Sequence, residues 1–399
     1  MVEITPAIAA VSGFTAAGVH CGLKKDSRLD LALITSAAPC AAAGVFTTNR
    51  LKSAPVLLDA ERLRADASAV RAVVINTGSA NACTGGQGMD NARATARYAA
   101  QRLGCAEDQV LVLSTGVIGT QLPMDKICAG VELAASATGS DWAGAARAIM
   151  TTDTRPKLAS ATVGACQVAG IAKGAGMIAP NMATMLSVIV TDALLTPAQA
   201  QAALAAAADA SYNRIVVDGD MSPNDTVLLL ANGASGVTPA LDAFEQALTA
   251  LCVHLAQAIV RDGEGVTKFI TLAVNGAADD GSARQLANAI ATSALVKTAF
   301  YGNDANWGRI IAAAGRAGAP FDPARASLTM ASGAAGDRNT VLLFRDGVPL
   351  DYSEALATAI ISAPEVDVTL DCGLGSGAAL VWTCDLSHEY VTINGDYRS

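Results

Sequence analysis

Histidine is scarce in this sequence: there are three, His20, His254 and His388. That leaves little material for a His-based triad or a multi-histidine metal site, so no metal is expected. Aromatics amount to only 4% of the 399 residues, so the core must be aliphatic, with alanines allowing close helix packing. Charged residues are 16% against 52% hydrophobic, which excludes disorder and allows a large buried core. The net charge is −9 and no basic run occurs, so nucleic acid is not an expected partner. No apolar run reaches the roughly 20 residues of a membrane span. The high mean hydropathy of +0.37 is read instead as buried core plus a sizeable subunit interface. The start, MVEITPAIAAVSGF, has no basic region leading into a long apolar one, so neither a secretory signal nor a transit peptide is expected, and the location implied is cytoplasmic. The nine cysteines are odd in number and scattered, with no Cys-x-x-Cys, as for reduced thiols in a cytosolic protein.

What is present alternates between two regimes. Runs rich in valine and isoleucine predict strands at Ala72–Ile75, Gln109–Leu113, Leu186–Thr191, Arg214–Val217, Thr226–Leu230 and Phe269–Val274. Alanine-rich helical stretches lie between them. Thr196 is a plausible N-cap with Pro197 at the first helical position, opening a helix to about Ala210. A second helix spans about Leu241–Val260, where Phe244, Leu248, Leu251, Leu255 and Ile259 recur at spacings of three and four. Such alternation indicates a layered α/β protein. The polar break NGAADDGS at Asn275–Ser282 is the expected boundary between an N-terminal domain, 1–280, and a smaller C-terminal one, 281–399.

The segment KGAGMIAPNMATMLSVIVTDA, Lys173–Ala193, passes abruptly from glycine and proline into an apolar, β-branched strand. Thr184 stands at that junction. A hydroxyl placed there can attack the carbonyl of Ala183 if the backbone is strained, giving an N-to-O acyl shift and then ester hydrolysis. Cutting frees a Thr184 α-amine of reference pKa about 7.7–8.0. That amine can serve as the base for its own hydroxyl, which activates a weak nucleophile without histidine. On the residues alone, a threonine starting a strand is an ordinary structural feature. Two other patterns are set aside. DGDMSPND has alternate oxygen ligands but places Pro223 and Leu229 where a calcium loop needs glycine and glutamate. Gly174 and Gly176 lack the third glycine of a dinucleotide motif and lead into a strand.

KGAGMIAPNMATML closely resembles the cleavage motif of the ornithine acetyltransferases of arginine biosynthesis, also called glutamate N-acetyltransferases. GVFTTNRLKSAPV, NTGSANACTG, STGVIG, TTDT, DGDMSPNDT, GEGVTK, GNDANWGRI and YVTINGDYRS resemble further family segments, in the family order and across essentially the whole chain. The resemblance implies self-cleavage between Ala183 and Thr184 into fragments 1–183 and 184–399, with Thr184 as nucleophile. It implies Thr115 and Gly116 as the oxyanion hole, a Thr-Gly pair offering a hydroxyl and a backbone N–H. It further implies Thr152, Lys173, Thr184, Glu264, Asn394 and Ser399 as substrate ligands, with Thr151 open as an alternative to Thr152.

The implied reaction is ping-pong. Acetyl passes from N-acetylornithine to Thr184 and then to glutamate, without a cofactor, and use of acetyl-CoA as co-substrate is left open. The implied fold is a layered helix–sheet–sheet–helix α/β sandwich of the self-processing type with a smaller C-terminal α/β domain. The implied assembly is an α2β2 heterotetramer of associated fragments. Two competing readings are a self-processing aminopeptidase or amidase with the same N-terminal threonine, and a non-enzymatic amino-acid-binding protein.

Overall fold

The structure, a computed structural model, describes residues 2–137, 139–179, 185–334 and 336–396. The chain divides into two units, one of residues 1–213 and 220–259, the other of 214–219 and 260–399. The break near Asn275–Ser282 therefore falls inside the second unit, between a strand and the helix it feeds, and the units part near Val260.

The first unit contains β1 (Phe14–Val19), β2 (Leu31–Phe46), α1 (Ala54–Ala65), β3 (Val70–Asn76), α2 (Gly85–Leu103), β4 (Val110–Ser114), α3 (Met124–Ser136), α4 (Trp142–Ala148), β5 (Lys157–Val163), β6 (Cys166–Lys173), β7 (Leu186–Thr191), α5 (Pro197–Ala210), β8 (Thr226–Ala231) and most of α6 (Leu241–Val260). The strand order is β4-β3-β2-β8-β7-β6-β5, with β1 also on β2. The long strand β2 serves both halves. Its first part pairs with β1 and β3, and its second, Ala41–Phe46, with β8. The register against β3 shifts between Thr35 and Cys40, where Pro39 stands. Proline cannot donate to a ladder and is confined to edges and bulges.

Side chains alternate across each strand, and both faces are covered. Ala32, Ile34, Val73, Ile75, Leu111 and Leu113 from one half-sheet share a single apolar cluster with Ile171, Val188, Val190, Leu228 and Leu230 from the other. The opposite parity, Leu31, Leu33, Val74 and Val112, packs under α1, α2 and α3. On the far side, α6 lies so close to β6 that a Cβ on Gly170 would meet Leu255 at 3.2 Å. The result is the expected helix–sheet–sheet–helix sandwich.

The helices follow from their local sequence. Thr196 caps α5 by accepting the Gln199 N–H, and Gln199 reaches back to the Thr196 N–H at 2.9 Å. Phe244, Leu248, Leu251, Leu255 and Ile259 of α6 are all buried. By length and composition α6 could cross a membrane, an exception to the sequence reading. Its apolar stripe is occupied by the core of its own unit.

The second unit contains β9 (Phe269–Ala277), α7 (Asp280–Ala291), α8 (Ala294–Tyr301), α9 (Trp307–Gly315), β10 (Ser327–Ser332), β11 (Asn339–Arg345), β12 (Val348–Pro349), α10 (Glu354–Ile361), β13 (Glu365–Asp371), β14 (Gly377–Cys384) and α11 (His388–Gly395). Its sheet runs β12-β11-β10-β13-β9-β14, with β9 and β13 parallel. Leu272, Val274, Leu286, Ile290, Leu328 and Val368 belong to its own core. The strand expected at Arg214–Val217 is absent. Only Ile215 bridges, to Trp382, although Ile215, Val216 and Val217 are buried. A four-residue apolar run is buried whatever its backbone does, so composition alone could not separate a strand from a buried connector.

Candidate active site

Three loops meet at one end of the first sandwich. Thr115 follows β4 and extends the inward row of Leu111 and Leu113. Its N–H donates to Asn76 O at 3.0 Å, and the Val117 N–H donates to Gly78 O at 3.3 Å. The next loop is tied in by Asn224, whose Nδ2 donates to Ser114 O and to Ala80 O, both at 2.7 Å. NTGSANACTG, STGVIG and DGDMSPNDT are thus far apart in sequence but stitched together in space.

Gly116 has φ 133°, and a Cβ there would lie 2.5 Å from the Gly78 carbonyl carbon. Glycine is required by both the backbone conformation and the close approach. Among the described residues the Gly116 N–H meets no acceptor, and the residue is partly exposed. Lys173, the last residue of β6, extends the inward row of Ala169 and Ile171. Its Nζ donates to Thr115 Oγ1 at 3.4 Å. With a lone pair so engaged, the Thr115 hydroxyl is free to donate its own hydrogen. Thr115 and Gly116 therefore offer two donors side by side.

Asp153 locks this corner. Its Oδ1 accepts Lys157 Nζ and the Gly174 N–H, both at 2.7 Å, and its Oδ2 accepts the Thr151 N–H at 3.0 Å. Burial alone would raise its pKa, but the Lys157 and Lys173 ammoniums and the Gly174 N–H outweigh that and hold it at about 2. The bend bearing Thr151 and Thr152 is thereby clipped to the Lys173–Gly174 segment. Both threonines are partly exposed.

Ala183 and Thr184 lie outside the described residues, as does Ser399. Next to Thr184 in sequence, Met185 is buried, and its N–H donates to Asp225 Oδ1 at 3.0 Å. Burial raises the Asp225 carboxyl well above the ordinary range, outweighing the Met185 N–H, the Lys173 charge and the Thr47 hydroxyl. Thr115, Lys173, Met185, Leu186, Asn224 and Asp225 line one small cavity.

In the second unit, Glu264 is buried and its Oε2 accepts Asn394 Nδ2 at 2.7 Å. Asn394 sits on α11, which docks on the Asp-Gly-Glu-Gly loop. Ser387 Oγ donates to Gly265 O at 2.6 Å, and Tyr390 OH donates to Asp218 Oδ2 at 3.2 Å. Gly265 has φ 68°, and a Cβ there would lie 2.6 Å from Ser387 Oγ and from the Tyr390 nitrogen. α11 therefore folds onto this loop, with contacts that run from Ser387 to Asn394.

The sequence-derived residues thus fall into two groups, Thr115, Gly116, Thr152 and Lys173 in the first unit and Glu264 and Asn394 in the second. Sequence reasoning assigned no role to Asp153, Asn224 or Asp225. The available signal was their membership in TTDT and DGDMSPNDT. Among the described residues no group of three or more His, Cys, Asp or Glu side chains converges as a metal site.

Comparison with known proteins gives matches over nearly the whole chain. The model of the ArgJ family matches residues 15–399. An arginine biosynthesis bifunctional protein ArgJ from Geobacter sulfurreducens is 48% identical, over 98% of this chain and 100% of its own length. One from Thermotoga neapolitana is 49% identical, over 97% and 99%. A crystal structure of the bifunctional protein from Bacillus halodurans is 39% identical, with TM-score 0.47, covering 51% of this chain and 95% of that one.

Proposed function

The chain belongs to the ArgJ family, and on that premise we propose that it cuts itself between Ala183 and Thr184 and then carries acetyl from N2-acetyl-L-ornithine to L-glutamate on Thr184. The observation that carries the site assignment is the pair of free donors at Thr115 and Gly116, of which Thr115 lines the cavity that also holds Met185. Thr184 Oγ attacks the acetyl carbonyl, and its own α-amine, freed by the cut, takes the hydroxyl proton. The Thr115 hydroxyl and the Gly116 N–H receive the oxyanion. Ornithine leaves with that proton on its amine. The amine of glutamate then attacks the acetyl ester and departs as N-acetyl-L-glutamate.

Thr152 and Lys173 are the substrate ligands of the first unit in this reading, the lysine as a point charge for a carboxylate. Glu264, Asn394 and Ser399 are those of the second, with Glu264 suited to an ammonium. No cofactor takes part, and acetyl-CoA supplied in place of N-acetylornithine tests for a second acetyl donor. The two fragments stay associated and pair as α2β2 in the cytoplasm, so light scattering should give twice the 40.2 kDa of one chain.

A denaturing gel tests the core of the proposal. The 40.2 kDa chain should give way to two pieces of similar size, and Thr184→Ala should stay whole and inactive. An uncut wild type that still transfers acetyl would overturn the mechanism. Full-rate release of ornithine and acetate without glutamate would make the chain a hydrolase instead.

A further inference from the structure

The register shift in β2 opens a pocket in the first unit. Thr35 pairs with Ala72 and Cys40 with Val70, so residues 36–39 of β2 face only Arg71 on β3. The Ser36 carbonyl accepts Arg71 Nε at 2.9 Å. Ser36 Oγ donates to Ala38 O at 2.7 Å and holds the irregular turn. A cavity of about 380 Å3 lies at this place, within the roughly 300–1,000 Å3 of small-molecule sites. Phe14 and Thr15 of β1, Thr35 and Ser36 of β2, Arg71 of β3 and Leu103 at the end of α2 line it.

Donors collect here without acids to meet them. A guanidinium has five N–H groups, and that of Arg71 engages only Nε. Its Nη groups meet no acceptor and no carboxylate among the described residues, although the chain carries a net charge of −9. No residue lining the cavity is acidic. Thr15 and Thr35 stand opposite each other across β1 and β2, and their hydroxyls share one hydrogen bond of 2.7 Å. One hydroxyl gives its hydrogen to the other, which keeps its own free to donate. Phe14, buried, and Leu103, half-buried, supply an apolar wall.

We propose that this cavity is a second ligand site, for a small organic oxyanion: a carboxylate or phosphate held on the Arg71 Nη groups, with its apolar body against Phe14 and Leu103. With Nε tied to Ser36, the end-on pair of Nη groups remains, and that planar fork matches two oxygens of either anion. The site is distinct from the acetyl-transfer corner. Arg71 and Asn76 lie near opposite ends of β3, about 17 Å apart at the ordinary strand rise, and it is the Asn76 carbonyl that accepts the Thr115 N–H. An occupant is therefore remote from Thr115 and Gly116, yet joined to them by a single strand.

Calorimetric titration of the full chain with benzoate and with phenyl phosphate tests this, with benzamide as the same body lacking the charge. One or both anions should bind in the millimolar range or tighter, and benzamide about tenfold more weakly or not at all. The tighter of the two anions distinguishes a carboxylate ligand from a phosphate one. Arg71→Gln should weaken binding about 10- to 100-fold, the scale of a lost charged hydrogen bond. Arg71→Lys, which keeps the charge but not the fork, should weaken it by less. A wild type that binds neither anion, or that binds benzamide as tightly, overturns the proposal. So does an Arg71→Gln chain, folded by circular dichroism, that keeps the wild-type affinity. If Arg71→Gln does not fold, undiminished affinity in Arg71→Lys overturns it instead.

Discussion

Gly116→Ala isolates the oxyanion corner. The new Cβ would stand 2.5 Å from the carbonyl carbon of Gly78, and 2.8 Å from its oxygen and from the Ser79 nitrogen. All three atoms are backbone, so no rotamer change relieves the overlap. Carbon atoms rest at about 3.5–4.0 Å, so the turn must move by about 1 Å. It cannot move alone, because Thr115 and Val117 on either side are bonded to Asn76 and Gly78. The alanine must also hold the strained φ of 133°, at about 1–3 kcal/mol. A domain of ordinary stability, about 5–15 kcal/mol, survives that. Catalysis should not. Losing one oxyanion donor costs about 10²–10³ in rate, or roughly 3–4 kcal/mol of barrier. The assay is kcat for acetyl transfer from N-acetylornithine to glutamate, with a thermal melt alongside. A folded Gly116→Ala enzyme that turns over at the wild-type rate would refute the assignment of this N–H.

Thr115→Ser keeps the hydroxyl and should retain most of the activity, whereas Thr115→Val should lose it on the same scale in the same kcat assay. Asp153→Asn strands the buried Lys157 and should cost about 3–5 kcal/mol of stability, read from urea unfolding. The same aspartate predicts an acid limb. Its folded value of about 2 lies below the ordinary 3.8, so its contribution is present above about pH 4 and is lost as pH falls through about 2. The difference amounts to about 2 kcal/mol, and urea midpoints measured at falling pH should show it shrink. Glu264→Gln preserves the shape that meets Asn394 but removes the charge, so KM should rise about tenfold or more with little change in melting temperature. Leu248→Ala opens a hole at a fully buried position on α6 and should cost about 2–5 kcal/mol in urea, with activity per folded molecule preserved.

Local rules made much of the fold legible. The Thr196-Pro197 start and the three-and-four spacing from Phe244 to Ile259 specified α5 and α6 because capping and amphipathicity are short-range properties. Five of the six predicted strands exist for a similar reason, since a β-branched run with one or both faces buried has few other uses. Arg214–Val217 failed because burial without pairing looks the same in composition. The second-unit boundary was misplaced because NGAADDGS is a true break, but one inside a domain, between β9 and α7. Of the site, Thr115, Gly116 and Lys173 were reached through motif resemblance, and the structure supplies the reason those types are needed: a φ only glycine tolerates, and an ammonium that takes a hydroxyl lone pair.

The carboxyls were illegible for a different reason. Asp153 and Asp225 look like loop residues in sequence, and DGDMSPNDT suggested a poor calcium loop. Both are buried, and both feel the charge of Lys173. What separates them is the number of donors that folding brings to each. Asp153 gains a lysine ammonium and two backbone N–H groups, one of them twenty-one residues away, and stays an anion. Asp225 receives the Met185 N–H on one oxygen and keeps the other bare among the described residues, so burial wins and raises its carboxyl well above the ordinary range. Two carboxyls in one fold are thus driven in opposite directions by their surroundings. Here the anion pins the glycine-rich segment that leads to the cleavage motif.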